Sequence, residues 1–328
     1  MKMKLSKDSK IYVAGHSGFL GGRLYDKLIS EGYTRVYTFD RDELDLTSQS
    51  DTLNLFKEYN FDFLFICAAK CGGLQANLDD PYGHLMDNLE IQNSLIGASI
   101  KTKVKKVLFI GSNCIYPKHA QQPFKEECML ESPVEPTNEG YSLAKIAGLK
   151  LCEYANKLYG KKHNEDLHLT RFISLIPCNL YGPQDDFDLH NSHVMAALVR
   201  KFIEATDKNT NKVELWGNGN TRREFLYVDD LVDAMIWCMS NLEYTEKFLN
   251  VGSGIDVDIL TLSNIIKEVC GFKGEIECDL SKPMGMERKC LDVTKINHLG
   301  WSTKTDLRHG IKNTVEYYKT VKKYYENK

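Results

Sequence analysis

Residues 10–32 read KIYVAGHSGFLGGRLYDKLISEG, and the order of residue types in this stretch decides the fold. KIYVAG, 10–15, is a short apolar run of the kind that makes a buried strand, and RLYDKLISEG, from Arg23, has the spacing of the helix that follows it. Between them Gly15, Gly18 and Gly21 recur at every third position. Glycine there lets the backbone turn tightly, approach a pyrophosphate and pack the helix on the strand, while the helix N-terminus faces the anion. A glycine triplet alone is weak; directly after the first strand of an alternating chain it points to a dinucleotide.

The alternation continues. TRVYTFD (34–40), FDFLFICAA (61–69), KKVLFIG (105–111) and LTRFISLIPCNL (169–180) read as further strands, with long helical stretches over about 81–102 and 139–160. This pattern predicts an α/β fold, a Rossmann-type doubly wound parallel sheet. Beyond Tyr181 the pattern loosens through DDFDLHNSH, and pieces such as KVELWGNGN and GEIECDLSKPMGMERK look like parts of a smaller, interleaved substrate domain. The division expected is 1–181 with about 220–255 for the dinucleotide, and about 182–219 with 256–328 for the substrate.

Composition narrows the class. The 328 residues carry a formal charge of -3, so no electrostatic footprint suggests a nucleic acid or a membrane surface as partner. No apolar run approaches a membrane span, and MKMKLSKDSK leads into no signal-peptide core. Ten cysteines without a C-x-x-C pair, including Cys67, Cys152, Cys238 and Cys270 in apolar runs, read as buried reduced thiols, which makes the cytoplasm the expected compartment and no metal site expected.

The chemistry is carried by NEGYSLAKIAG. Tyr141 and Lys145 are one helical turn apart, and Ser112 in LFIGSNCIYP lies 29 residues upstream at the end of an apolar run. Side chains four positions apart share a helix face, so the Lys145 ammonium is expected near the Tyr141 phenol, favouring its ionised form and making it a usable proton donor near neutrality. Spacing alone does not decide this, since Tyr318/Lys322 and Tyr324/Lys328 match it too. The preceding strand and Ser112 distinguish the first pair. Such a trio can reduce a ketone, and together with the G-x-x-G-x-x-G turn it suits the short-chain dehydrogenase/reductase type.

Which dinucleotide it takes is divided between two neighbours. Asp40, at the end of the second strand, would accept hydrogen bonds from ribose hydroxyls and repel a 2'-phosphate, whereas Arg41 could hold that phosphate. Both could also be solvated surface charges.

Over essentially its full length the chain resembles the GDP-L-fucose synthase family, through CAAKCGGLQAN, GSNCIYPK, EPTNEGYSLAKIAGLKLCE, NLYGPQDDFDLHNSHV, LWGNGNTRREFLYVDD, NVGSGIDVDI and LDVTKINHLGW. The resemblance implies NADPH-dependent reduction at carbon 4 coupled to 3,5-epimerisation of a GDP-linked 4-keto-6-deoxy sugar. It implies Ser112, Tyr141 and Lys145 as reductase residues, and Cys114 with His193 as the acid/base pair for epimerisation. Lys201, Trp216, Arg223 and His193 would contact the GDP-sugar. The NADP(H) site would be lined by Gly15, His16, Ser17, Gly18, Phe19, Leu20, Gly21, Asp40, Arg41, Ile110, Gly111, Lys145, Pro177, Asn179 and Leu180, with NADPH favoured over NAD. Met284 stands where that family has a nucleotide-contacting aspartate, and Asp40 is a further departure.

The chemistry needs such a pair on its own account. A ketone at carbon 4 acidifies carbons 3 and 5, and inverting either centre takes a base on one face and an acid on the other. Cys114 is two residues from Ser112, so a continuing strand would point both to one face. The positive charge of Arg222 and Arg223 suits a diphosphate. The rival reading is a 4-reductase alone, acting on an already epimerised hexose or heptose. A 4,6-dehydratase is disfavoured, because Asn113 and Cys114 stand where those enzymes carry an acidic pair, and a catalytically dead sensor is disfavoured by the intact trio. The resemblance also implies a homodimer that pairs helices 81–102 and 139–160 of each subunit in a four-helix bundle.

Overall fold

The apolar run Ile11–Ala14 forms β1 and is wholly buried. It feeds helix α1, Phe19–Ser30, which starts four residues before Arg23 because Gly18 takes the capping position and contributes no side chain to close the end. First-turn N–H groups therefore stay uncapped. The structure, a computed structural model, describes residues 4–160, 170–281 and 286–326.

In chain order β2 (Val36–Tyr37), α2 (Gln49–Tyr59), β3 (Phe63–Ile66), α3 (Leu74–Asp79), α4 (Pro81–Thr102), β4 (Lys106–Ile110), α5 (Glu139–Gly160) and β5 (Arg171–Pro177) follow. Next are β6 (Asn179–Tyr181), α6 (Val194–Asp207), β7 (Lys212–Trp216), β8 (Arg222–Tyr227), α7 (Val228–Asn241) and β9 (Leu249–Val251). The chain closes with β10 (Asp256–Asp258), α8 (Ile259–Cys270), β11 (Glu275–Asp279), β12 (Arg288–Lys289), α9 (Thr294–Leu299) and α10 (Leu307–Glu326).

Six strands make one sheet in the order β2-β1-β3-β4-β5-β9, every neighbour parallel. This is the doubly wound, Rossmann-type arrangement. The order reverses between β1 and β3, which opens a crevice at the carboxyl ends of the strands. A second sheet runs β10-β8-β12 with β6 also paired to β8, and β11 pairs with β7. Two apolar cores match these sheets: one around the large sheet, which also takes in Leu291, Ile296 and Trp301, and one built on α6, α8, α10 and the strands beside them.

Three strand readings change. The 34–40 run is regular only at Val36–Tyr37 and the 61–69 run only at Phe63–Ile66. The 169–180 run divides: Leu175, Ile176 and Pro177 pair with β9, whereas Asn179, Leu180 and Tyr181 pair with β8 in the other sheet. An apolar run that passes between two sheets has the same periodicity as one that stays in place. The cysteine reading holds in part: all ten are free, Cys152 and Cys238 are buried, and Cys67 and Cys270 are only half-buried.

What aims α5 is its seat on α4 and β4. Gln92 donates to the Ala144 carbonyl at 2.8 Å, and a Cβ at Gly148 would lie 2.5 Å from Phe109 Cζ and 2.6 Å from Gln92 Oε1. The helices meet too closely there for any side chain. Gly148→Ala is expected to cost about 1–3 kcal/mol through overpacking, read as a lowered melting temperature in thermal denaturation.

Candidate active site

The crevice is lined first by the β1–α1 turn. Gly15 has φ +88°, and a Cβ there would fall 2.5 Å from the Ala68 nitrogen; a Cβ at Gly21 would fall 2.1 Å from the Gly15 carbonyl oxygen. Backbone therefore stands bare at the mouth of an uncapped helix, with His16, Ser17, Phe19 and Leu20 around it. This cradle fits a dinucleotide diphosphate. His16 Nε2 is 3.5 Å from the Asp40 carboxylate, itself two-thirds exposed, and His16 Nδ1 is buried without a partner. Arg41 is exposed beside them. Along the same rim Ile110 ends β4, the Gly111 N–H donates to the Leu175 carbonyl at 2.8 Å, and Pro177 ends β5. Asn179 donates to the Glu224 carbonyl at 2.8 Å, and Leu180 packs against the large core.

Beyond Gly111 the chain leaves the sheet. Ser112 does not extend β4 but caps a one-turn 3-10 helix, Asn113–Ile115, its hydroxyl accepting from the Cys114 N–H at 3.3 Å. The strand-alternation argument for Ser112 and Cys114 is thus replaced by a turn, because β4 ends at Ile110. Both side chains nonetheless reach Tyr141. The Ser112 hydroxyl lies near enough to lower the phenol and Cys114 near enough to raise it.

Lys145 is buried, and its ammonium donates to the Ile110 carbonyl at 2.9 Å while lying 5.7 Å from the centre of the Tyr141 ring. Burial lowers this ammonium below the ordinary lysine value. Burial, then the Cys71 and Cys114 sulfurs, hold the phenol well above the ordinary tyrosine value, with Ser112 pulling the other way. The expected drop of the phenol toward neutrality is therefore not found: a lysine tied to a carbonyl does less for the phenol than burial does against it.

Asn138 donates to Cys114 Sγ at 2.9 Å. Cys114 also acts on Arg223, whose guanidinium is pushed down by burial and makes no ion pair among the described residues. Its neighbour Arg222 is committed to Asp256 at 2.7 Å, and so is Arg288 at 2.9 Å. That double pairing holds the Asp256 carboxyl at about 2. Of the two arginines read from the sequence, Arg223 is the one that faces the thiol.

His193 occupies the N-cap of α6 without bonding the helix end through its side chain. The ring meets solvent, yet crowding by protein lowers its imidazole, with Asp186 raising it and Lys289 lowering it further. Its loop is tied to the cleft by Gly73, whose N–H donates to the Asn191 carbonyl at 3.1 Å. Lys201 donates to the Glu214 carbonyl at 3.1 Å and sits 5.8 Å over the half-exposed Trp216 ring, on the second lobe. Met284 lies outside the described residues.

Sequence reasoning passed over Cys71, whose sulfur is 3.3 Å from the Tyr141 hydroxyl. The signal was present in AAKCGG, a thiol beside two glycines just after β3. Asn138, three residues before Tyr141, was missed as well.

The geometry can be set beside known proteins. A sequence model of the NAD dependent epimerase/dehydratase family matches residues 11–252. GDP-L-fucose synthase from Escherichia coli is 40% identical over 317 residues, covering 94% of this chain and 96% of the relative. GDP-L-fucose synthase 1 from Arabidopsis thaliana is 42% identical over 312 residues, covering 95% and 94%. A GDP-mannoheptose C4 reductase from Campylobacter jejuni, solved with NADP bound, superimposes with a TM-score of 0.87 at 35% identity, covering 96% of this chain and 99% of that one. The chain is an enzyme that belongs to the NAD dependent epimerase/dehydratase family, among its GDP-L-fucose synthases.

Proposed function

We propose that this enzyme reduces carbon 4 of a GDP-linked 4-keto-6-deoxy sugar with NADPH, after inverting carbons 3 and 5 at the same site. The observation that carries the reading is that Ser112 and Cys114 both act on one phenol while Cys114 also acts on Arg223, a guanidinium with no ion pair among the described residues, at the open end of the sheet that bears the glycine turn. The names of the relatives supply the sugar class.

NADPH supplies the hydride when bound. Gly15 to Gly21 would receive its diphosphate on backbone N–H groups, Arg41 its 2'-phosphate, and Lys145, Ile110, Gly111, Pro177, Asn179 and Leu180 its nicotinamide half. Tyr141 delivers a proton to the sugar's O4, and Ser112 steadies that oxygen by hydrogen bonding. Burial keeps the phenol protonated, so the proton is in place when negative charge develops on O4 and draws it off. Cys114 and His193 work on opposite faces of the ring, one taking the proton next to the ketone and the other returning it. The Asn138 amide on the sulfur steadies Cys114 as its charge changes. Arg223 pairs with the diphosphate of the sugar, and Trp216 with Lys201 flank the nucleotide.

We place the enzyme in the cytoplasm, a reading supported by its free thiols; among the described residues no helix is long and apolar enough to cross a membrane. The working unit we propose is a homodimer. Leu143, Leu151, Tyr154 and Leu158 stand exposed along α5 at helical spacing, an apolar stripe suited to a second copy through a four-helix bundle.

Incubation with GDP-4-keto-6-deoxy-mannose in heavy water without NADPH should place deuterium at carbons 3 and 5, read by NMR. Cys114→Ala should abolish the uptake, whereas Tyr141→Phe should keep it and lose about 10²–10⁴-fold in reduction rate. No uptake by the parent enzyme leaves a reductase alone. Arg41→Ala should raise KM for NADPH about tenfold relative to NADH, the size of one charge-assisted hydrogen bond. Leu151→Glu should give a monomer in size-exclusion chromatography if the α5 stripe is the dimer face.

A further inference from the structure

The loop after β3 is held by more bonds than its length requires. Asn88 on α4 pairs with both peptide groups of Lys70, accepting from its N–H and donating to its carbonyl, each at 3.0 Å. Asn77 on α3 donates to the Gly72 and Gly73 carbonyls, each at 2.9 Å. The Gly73 N–H reaches Asn191 beyond the second sheet's first strand, and the Lys70 ammonium is held by Asp80 at 2.8 Å and Asp87 at 2.9 Å. Both asparagines are buried. Buried amides that spend their donors on one loop fix where it lies.

The residue between the two clamps is Cys71. Its side chain is exposed to the cleft, and its sulfur lies 3.3 Å from the Tyr141 hydroxyl. Three parts of the fold thus order a short loop, and the one side chain it turns on the proton donor is a thiol.

We propose that Cys71 is a positioning residue for Tyr141: its sulfur accepts the phenolic hydrogen, orients the hydroxyl in the cleft and keeps the proton on Tyr141 until a carbonyl takes the sulfur's place. The inference rests on the function proposed above. The groups facing the phenol are Cys71 from the loop, Ser112 and Cys114 from the turn after β4, and Lys145 from the next turn of α5. Burial and the two sulfurs favour the protonated phenol, and the Ser112 hydroxyl opposes them. Without Cys71 the phenol gives up its proton at lower pH, so reduction fails at lower pH.

Two measurements test this. In the first, kcat/KM for NADPH-dependent reduction is followed against pH, since it reports groups of the free enzyme. Cys71→Val should move the alkaline limb down by about one pH unit, and Cys71→Ser, which keeps a hydrogen-bonding atom, should restore most of it. A Cys71→Val profile that superimposes on the parent's overturns the proposal. The second needs no substrate: the pH midpoint for alkylation of Cys71 by iodoacetamide, read on its peptide by mass spectrometry, should rise in Tyr141→Phe because the sulfur loses its donor. An unchanged midpoint overturns the contact itself. If the parent reduces no 4-keto sugar, the proposed function falls, and the alkylation result still decides Cys71.

Discussion

The buried hydrogen bond from Lys145 to the carbonyl of Ile110 is the constraint on which the site rests. It runs from the second turn of a long helix to the last residue of a central strand. Ser112 and Cys114 hang from one end of that bond and Tyr141 from the other, so the bond sets the distance between hydroxyl, thiol and phenol. An ammonium without such a partner could not stay in this interior without a heavy desolvation cost. Its removal therefore disturbs position as well as charge.

Around this anchor the electrostatics are divided by lobe. The large sheet contributes a cleft whose phenol is held protonated by burial and sulfur. The second sheet contributes cations and pairs two of them locally: Asp256 takes both Arg222 and Arg288, leaving Arg223 beside Cys114. A guanidinium without an ion pair among the described residues, in a nearly neutral protein, gives the anionic part of a ligand a landing point beside the thiol. The chain passes from β5 of the large sheet directly into β6, which pairs with β8, and Glu224 of β8 accepts from the Leu291 and Gly254 N–H groups, so the two sheets are joined by a short crossing and by hydrogen bonds.

Much of this was legible in the chain. The glycine turn could be read because a Cβ at Gly15 or at Gly21 would collide with backbone. Both long helices begin and end where the sequence pattern places them, at Pro81–Thr102 and Glu139–Gly160, since capping and apolar spacing are local properties. The 34–40 and 169–180 strands read less well. Whether an apolar run pairs along its whole length depends on what lies beside it, and Pro177 and Asn179 have different neighbours.

The sequence by itself determined the class of fold, the phosphate turn and the Ser112, Tyr141 and Lys145 set, because each is written in residues near one another or in a spacing that a single helix enforces. Only the tertiary structure decided the direction in which the phenol titrates, which arginine stays uncommitted and that Cys71 touches Tyr141. Those facts depend on burial and on side chains brought together from about 30 to 70 positions apart, and no periodicity in the chain encodes them.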